Sequence, residues 1–129
     1  MNKKSGFTII ELSVLAIFFV VAGIIFWLQK ADIQNQEEDK ARKVAINAIY
    51  YNLENVFYAQ NGYYPKTIKE DTLKALDPNL LTDPNGVVLG DKDSNYTYEA
   101  TSCDGEKCEH YTLRASLEKE DDYIKKSKN

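Results

Sequence analysis

From Phe7 to Leu28 the chain holds 22 residues that are apolar or glycine except for Thr8, Glu11 and Ser13. About 20 apolar residues carry a helix across a bilayer, so this run reads as a membrane span, and whatever folds after it lies on one side. One carboxylate, Glu11, stands near its start. A charge costs roughly 2.5 to 3.5 kcal/mol at the centre of a span and less near an end, so Glu11 calls for a compensating partner. A secretory signal places its small cleavage residue after the apolar core; here Gly6 stands before it. Cleavage at Gly6 would therefore leave the hydrophobic segment on the mature chain as an anchor. Lys3 and Lys4 precede the span, and positive charge there holds that end in the cytoplasm and sends the remainder outward.

About 100 residues follow the span in a chain of 129, room for one small domain that would benefit from a covalent staple. The formal net charge is −4, and residues 1 to 6 contribute two lysines and no acid, so their removal leaves a still more acidic body. That balance argues against nucleic-acid binding by bulk charge. Cys103 and Cys108 both fall after the span; on an exported domain they read as a disulfide, in a reducing cytosol as thiols or a metal site.

No proline interrupts the chain before Pro65, and no glycine lies between Gly23 and Gly62. Ile46, Ile49, Leu53, Val56 and Phe57 recur at steps of three and four, one apolar face of a helix. Glu37, Glu38 and Asp39 precede Lys40, Arg42 and Lys43 at spacings that add about 0.2 to 0.5 kcal/mol per pair. The reading is one helix from about Phe7 to about Gln60, roughly 80 Å long, ended by a left-handed cap at Asn61-Gly62. Thr67-Ile68-Lys69-Glu70 has capping-box spacing for a short helix to about Leu76. Asp77-Pro78-Asn79 and Asp83-Pro84-Asn85-Gly86 read as turns. Strands are expected at Val87–Leu89, Tyr96–Thr101 and, by alternation, at Tyr111, Leu113, Ala115 and Leu117. The fold class is α+β: leader 1–6, span 7–28, amphipathic continuation 29–61, connector and small antiparallel sheet 62–117, and a charged, frayed tail 118–129.

Lys3-Lys4-Ser5-Gly6-Phe7-Thr8-Ile9-Ile10-Glu11-Leu12 resembles the class III signal of type IV pilins and related pseudopilins: basic leader, Gly, Phe, then Glu as the fifth residue from the Phe. The match is close over residues 3 to about 25, and beyond them the likeness is one of architecture alone. The resemblance implies cleavage after Gly6 by a prepilin peptidase, N-methylation of Phe7, and storage in the inner membrane before a pilus assembly machine builds subunits into an extracellular filament. It further implies that Glu11 neutralises the Phe7 amine of an adjacent subunit and sets axial register. Many pilins carry a helix-breaking proline near the end of the apolar run, whereas this chain has Ile24-Ile25-Phe26-Trp27-Leu28. A helix continuous past Leu28 is expected, with Gly23 its one intrinsic weak point at about 1 kcal/mol relative to Ala.

Cys103 and Cys108 enclose Asp104-Gly105-Glu106-Lys107, which between two strands reads as a hairpin loop closed by a disulfide that fixes register. His110 would add one metal ligand to the two thiols, but a fourth is missing, so zinc is the weaker reading. Asp91, Asp93 and Asn95 alternate as oxygen ligands do in a calcium loop, without the Gly and distant Glu of an EF-hand; a solvated turn is the default. The nine tyrosines suit a core or a subunit interface. No catalytic constellation appears, so an enzyme is not expected and no cofactor is assigned. The favoured reading is a structural subunit of a type IV pilus, polymerising with itself or with minor pilins for adhesion, motility or DNA uptake. The alternatives are a pseudopilin of a type II secretion or competence system and a membrane-anchored binding module that never polymerises.

Overall fold

The computed structural model describes residues 6–129; Lys3 and Lys4 of the expected leader lie outside the described residues. The chain divides into two compact units, Met1–Asn35 and Gln36–Asn129. Helix α1 spans Ile9–Asn52, passing through Gly23 and Leu28 without interruption, as the absence of proline predicts. In the first unit its apolar side chains stand exposed: Ile9 is 87% and Phe19 68% accessible. By length and composition this is one helix long and apolar enough to cross a membrane.

The second unit is where the helix acquires a core. Ile46, Ile49 and Leu53 are fully buried, each contributing about 1.5 to 3 kcal/mol by leaving water. α1 then passes into a π-helical turn, Leu53–Phe57, in which the Tyr58 N–H reaches back five residues to the Leu53 carbonyl. The wider turn brings three consecutive residues, Asn52, Leu53 and Glu54, into the interior. Such turns concentrate where a side chain must be re-aimed, and here the one re-aimed is Glu54. Helix α2, Tyr58–Asn61, closes the run. Gly62 supplies the expected cap: its φ is +74°, and its N–H donates to the Tyr58 carbonyl at 2.8 Å.

The sheet has four antiparallel strands: β1 Tyr64–Pro65, β2 Tyr96–Asp104, β3 Lys107–Ala115 and β4 Tyr123–Lys126. β3 is central. β2 pairs along its whole length, from Tyr96 opposite Ala115 to Asp104 opposite Lys107. β1 and β4 share the other edge of β3, β1 at Cys108 and Lys107, β4 at Thr112 to Ala115. Tyr111, Leu113 and Ala115 face inward as their alternation requires and meet Ile46, Ile49, Leu53, Tyr64, Leu73 and Leu81 in one cluster. The result is a long N-terminal helix packed on a small antiparallel sheet, the pilin-like α+β arrangement expected.

Three local expectations are corrected. Thr67 to Leu76 forms turns rather than a helix: the Lys69 N–H donates to Thr72 Oγ1 at 3.0 Å and the Thr72 N–H to the Lys69 carbonyl at 3.0 Å. A threonine hydroxyl here offers the backbone a partner that competes with helix, and Ile68 and Leu73 reach the core from those turns. Val87–Leu89 contributes a single bridge, Val88 to Thr82, instead of a strand. Asp83 bends the chain there, its Oδ1 accepting from the Asn85 and Val87 N–H groups at 2.9 Å each and its Oδ2 from the Asn95 N–H at 2.9 Å. Finally, the segment 118–129 does not fray. It turns back and adds β4 to the sheet.

Candidate assembly site

The start of α1 is a reciprocal cap. Thr8 Oγ1 accepts from the Glu11 N–H at 3.4 Å, while Glu11 Oε2 accepts from the Thr8 N–H at 2.9 Å and from the Thr8 hydroxyl at 3.1 Å. This is the capping box T-x-x-E, which satisfies orphan backbone donors of a helix start. The helix accordingly begins at Ile9 instead of Phe7. The box was legible at Thr8 to Glu11 by the same spacing that suggests one at Thr67, and only the first of the two forms. Glu11 therefore has a partner within its own chain, on one carboxylate oxygen. Phe7 is 79% exposed beside it. A Cβ added to Gly6 would meet nothing within 4 Å, so no packing within the described chain requires a glycine there.

The second expected feature forms as read. Cys103 and Cys108 are joined by a disulfide and are directly opposed across β2 and β3. Asp104 pairs with Lys107 as well, so the loop shortens to Gly105-Glu106, with Gly105 at φ +62°. A glycine at the first central position with positive φ suits the right-handed twist of a two-residue hairpin. Closing so short a loop stabilises by about 2 kcal/mol in the chain-entropy model. Reduction is expected to lower the unfolding free energy by about that amount without changing the far-ultraviolet circular dichroism, because the β2–β3 ladder continues on the Tyr96 side of the bond.

Asp91 and Asp93 are exposed, and Asn95 is engaged through its backbone with Asp83 and Ser116. Among the described residues no group of three or more His, Cys, Asp or Glu could hold a metal ion. His110 Nδ1 lies 2.6 Å from the Asn129 carbonyl oxygen and is not gathered with the cysteines' sulfur atoms into a ligand set.

Two buried charged sites lie on the second unit's helix; the sequence pairs Asp39 with Arg42 as surface neighbours without showing their burial, and gives no sign of the second site, at Glu54. Arg42 is fully buried. It donates to Asp39 Oδ1 at 2.7 Å and Glu38 Oε2 at 3.4 Å, with Glu118 Oε1 at 3.7 Å. Asp39 also accepts from the Glu118 and Lys119 N–H groups, each at 2.9 Å. Fifteen residues on along the same helix, Glu54 accepts from the Tyr64 hydroxyl at 3.0 Å, the Tyr111 hydroxyl at 2.8 Å and the Lys128 N–H at 3.3 Å. The segment carrying β4 is thus held by one helix carboxylate at its start and another at its end. Between them Lys43 pairs with Glu120 at 2.6 Å, Tyr123 donates to Asn47, and Lys125 lies 5.4 Å from the Tyr50 and Tyr123 ring centroids.

The tyrosines around Glu54 form a connected cluster, stacked at Tyr58–Tyr64 and Tyr98–Tyr111 and edge-to-face at Tyr64–Tyr111. Tyr58 meets Tyr64 at 4.7 Å, Tyr64 meets Tyr111 at 4.7 Å, and Tyr111 meets Tyr98 at 5.5 Å between ring centroids. Burial, reinforced by the hydroxyl's bond to Glu54, pushes the Tyr64 phenol up to about 12. Burial and then the nearby Asp83 push Tyr96 to about 12 as well, and burial raises Tyr98 and Tyr111 further. A pKa raised in the folded state contributes stability that is complete below the ordinary value of 10.0 and is lost as pH rises through the folded value. Alkaline titration is therefore expected to ionise these phenols together with unfolding, in one step between pH 10.0 and about 12, seen as their phenolate absorbance appearing while circular dichroism is lost. Phenolate absorbance complete before any loss of dichroism would refute this.

No family model, curated protein or solved structure matches the chain.

Proposed function

We propose that this chain is a structural subunit of a type IV pilus-like filament, stored in the cytoplasmic membrane by its first helix and assembled outside it. The observation that carries the reading is one carboxylate, Glu11, set in the first turn of a helix of exposed apolar side chains and following a Gly6-Phe7 junction. Cleavage after Gly6 would place a new amine at Phe7. The spare oxygen of Glu11 would then be a counter-ion for the amine of a neighbouring copy, while the other keeps its bonds to Thr8. The open surroundings of Gly6 suit selection of that residue by a peptidase. Unbroken helix past Leu28, and a sheet domain stapled by a disulfide suited to an oxidising exterior, fit a subunit whose helices bundle while the domains coat the filament.

Mass spectrometry of the mature protein tests this directly: a chain beginning at N-methylated Phe7 is expected, and an intact Met1 in membrane fractions would sink the proposal. Long pili and short pseudopili share every feature above, and electron microscopy of sheared surface material separates them by length.

A further inference from the structure

The two ends of the apolar run differ in chemistry. The inner end is Phe7, Thr8 and Glu11; the outer end is Phe26-Trp27-Leu28-Gln29-Lys30. Between Ser13 and Gln29 the indole of Trp27 carries the one side-chain polar atom, so in that stretch nothing else marks a depth for the helix. Trp27 is the chain's single tryptophan and is 77% exposed. With Leu28, Lys30, Ala31 and Gln34 it lines a shallow groove of about 340 Å³ on one side of α1. Asp32 belongs to a different side, with Gln29 and Ile33.

An indole is most stable where its rings lie in hydrocarbon and its N–H meets the polar layer. A lysine one turn further out extends its ammonium to the phosphates, its methylenes lying along the apolar surface. The spacing agrees. Ile9, where α1 begins, and Trp27 are 18 residues apart, about 27 Å along a helix, and the hydrocarbon core of a bilayer is about 30 Å thick.

We infer that Trp27 and Lys30 form a collar that binds phospholipid headgroups of the outer leaflet and fixes the depth of the stored anchor. The indole lies at the boundary of the hydrocarbon and the Lys30 ammonium pairs with lipid phosphate. At that depth Glu11, 16 residues from Trp27, sits about 24 Å below the outer boundary. It is then about one turn inside the inner boundary, where a carboxylate is less costly than at the centre, and Thr8 already donates to it. The phosphate is the fitting occupant because a second copy in the same register would set Lys30 against Lys30. The inference rests on reading the first helix as a membrane span and is independent of whether the chain polymerises.

The single tryptophan makes the test direct. The full-length chain is reconstituted into phosphatidylcholine vesicles containing phosphatidylglycerol, with lipids brominated either near the headgroup or near the chain ends, and insertion is checked by flotation. Headgroup-proximal bromines are expected to quench the emission most. Lys30→Leu, which removes the phosphate partner, is expected to shift the quenching maximum inward by about one helical turn, about 5 Å. Strongest quenching from the chain ends, a profile that Lys30→Leu leaves in place, or an indole quenched at no depth because it faces water or another copy would each overturn the collar while leaving the membrane reading intact. A protein that fails to float with the vesicles would overturn both.

Discussion

Glu11→Ala is expected to insert and be processed as the parent chain is, yet to lose filament assembly by about a hundredfold or more. Removing one partner of a buried charge pair costs about 3 to 5 kcal/mol, because the other charge is left uncompensated. In the proposed filament that other charge is the Phe7 amine of the adjacent subunit. The capping box complicates the alanine variant, since Ala also strips the Thr8 N–H of its acceptor. Glu11→Gln separates the two roles, for Gln can complete a capping box as Glu does while carrying no charge. If charge matching drives assembly, Gln fails as Ala does, and Thr8→Ala, which weakens only the cap, assembles at near the parental level. Pilus yield in sheared fractions reads all three. Assembly of Glu11→Gln at wild-type yield would reduce Glu11 to a helix cap and refute its role in register.

Asp39→Ala is expected to destabilise the second unit by about 3 to 5 kcal/mol. The substitution leaves a fully buried Arg42 without its 2.7 Å partner and orphans the Glu118 and Lys119 N–H groups. Glu38 and the half-exposed Glu118 stand at 3.4 and 3.7 Å and replace only part of the loss. For a unit of this size that corresponds to a fall of at least about 12 °C in midpoint, measurable in the detergent-solubilised full chain. Asp39 also makes part of the fold's stability sensitive to acid. Burial by itself would raise its carboxyl, but the two backbone N–H groups and the Arg42 guanidinium outweigh burial and hold it below the ordinary 3.8. A pKa depressed in the folded state contributes stability that is present above the unfolded value and is lost as pH falls through the folded one. The stability that Asp39 contributes is therefore expected to fall away only as pH drops below 3.8, and Asp39→Asn should flatten that limb. A stability profile below pH 3.8 unchanged by Asp39→Asn would refute the assignment.

The helix and the β2–β3 hairpin were legible because their signals are local. Ile46, Ile49 and Leu53 repeat at helical spacing; Tyr111, Leu113 and Ala115 alternate; Asp104-Gly105 supplies turn chemistry between two cysteines. The Thr8–Glu11 box carries the same kind of spacing, yet the sequence reading places a capping box only at Thr67, where none forms. β4 was not, because Tyr123 and Ile124 are two apolar residues among charges, and nothing within 118–129 prefers a strand to solvent. Its ladder partner β3 is close in sequence, Ala115 pairing with Tyr123, but the carboxylates that hold the two ends of the segment, Asp39 and Glu54, lie 79 and 74 residues away. In sequence those acids look like ordinary members of a solvated helix face.

The amino-acid order by itself determined the long apolar run, its lone carboxylate, the helix that continues past Leu28 and the hairpin with its disulfide, since each depends on residues close to one another in the chain. Tertiary structure decided which charges are buried. A carboxylate becomes a latch only when a distant backbone brings N–H groups or phenols to it, and whether Asp39 and Glu54 meet water or Glu118, Lys119, Tyr111 and Lys128 depends on how the sheet packs against the helix and on the π-turn that aims Glu54 inward.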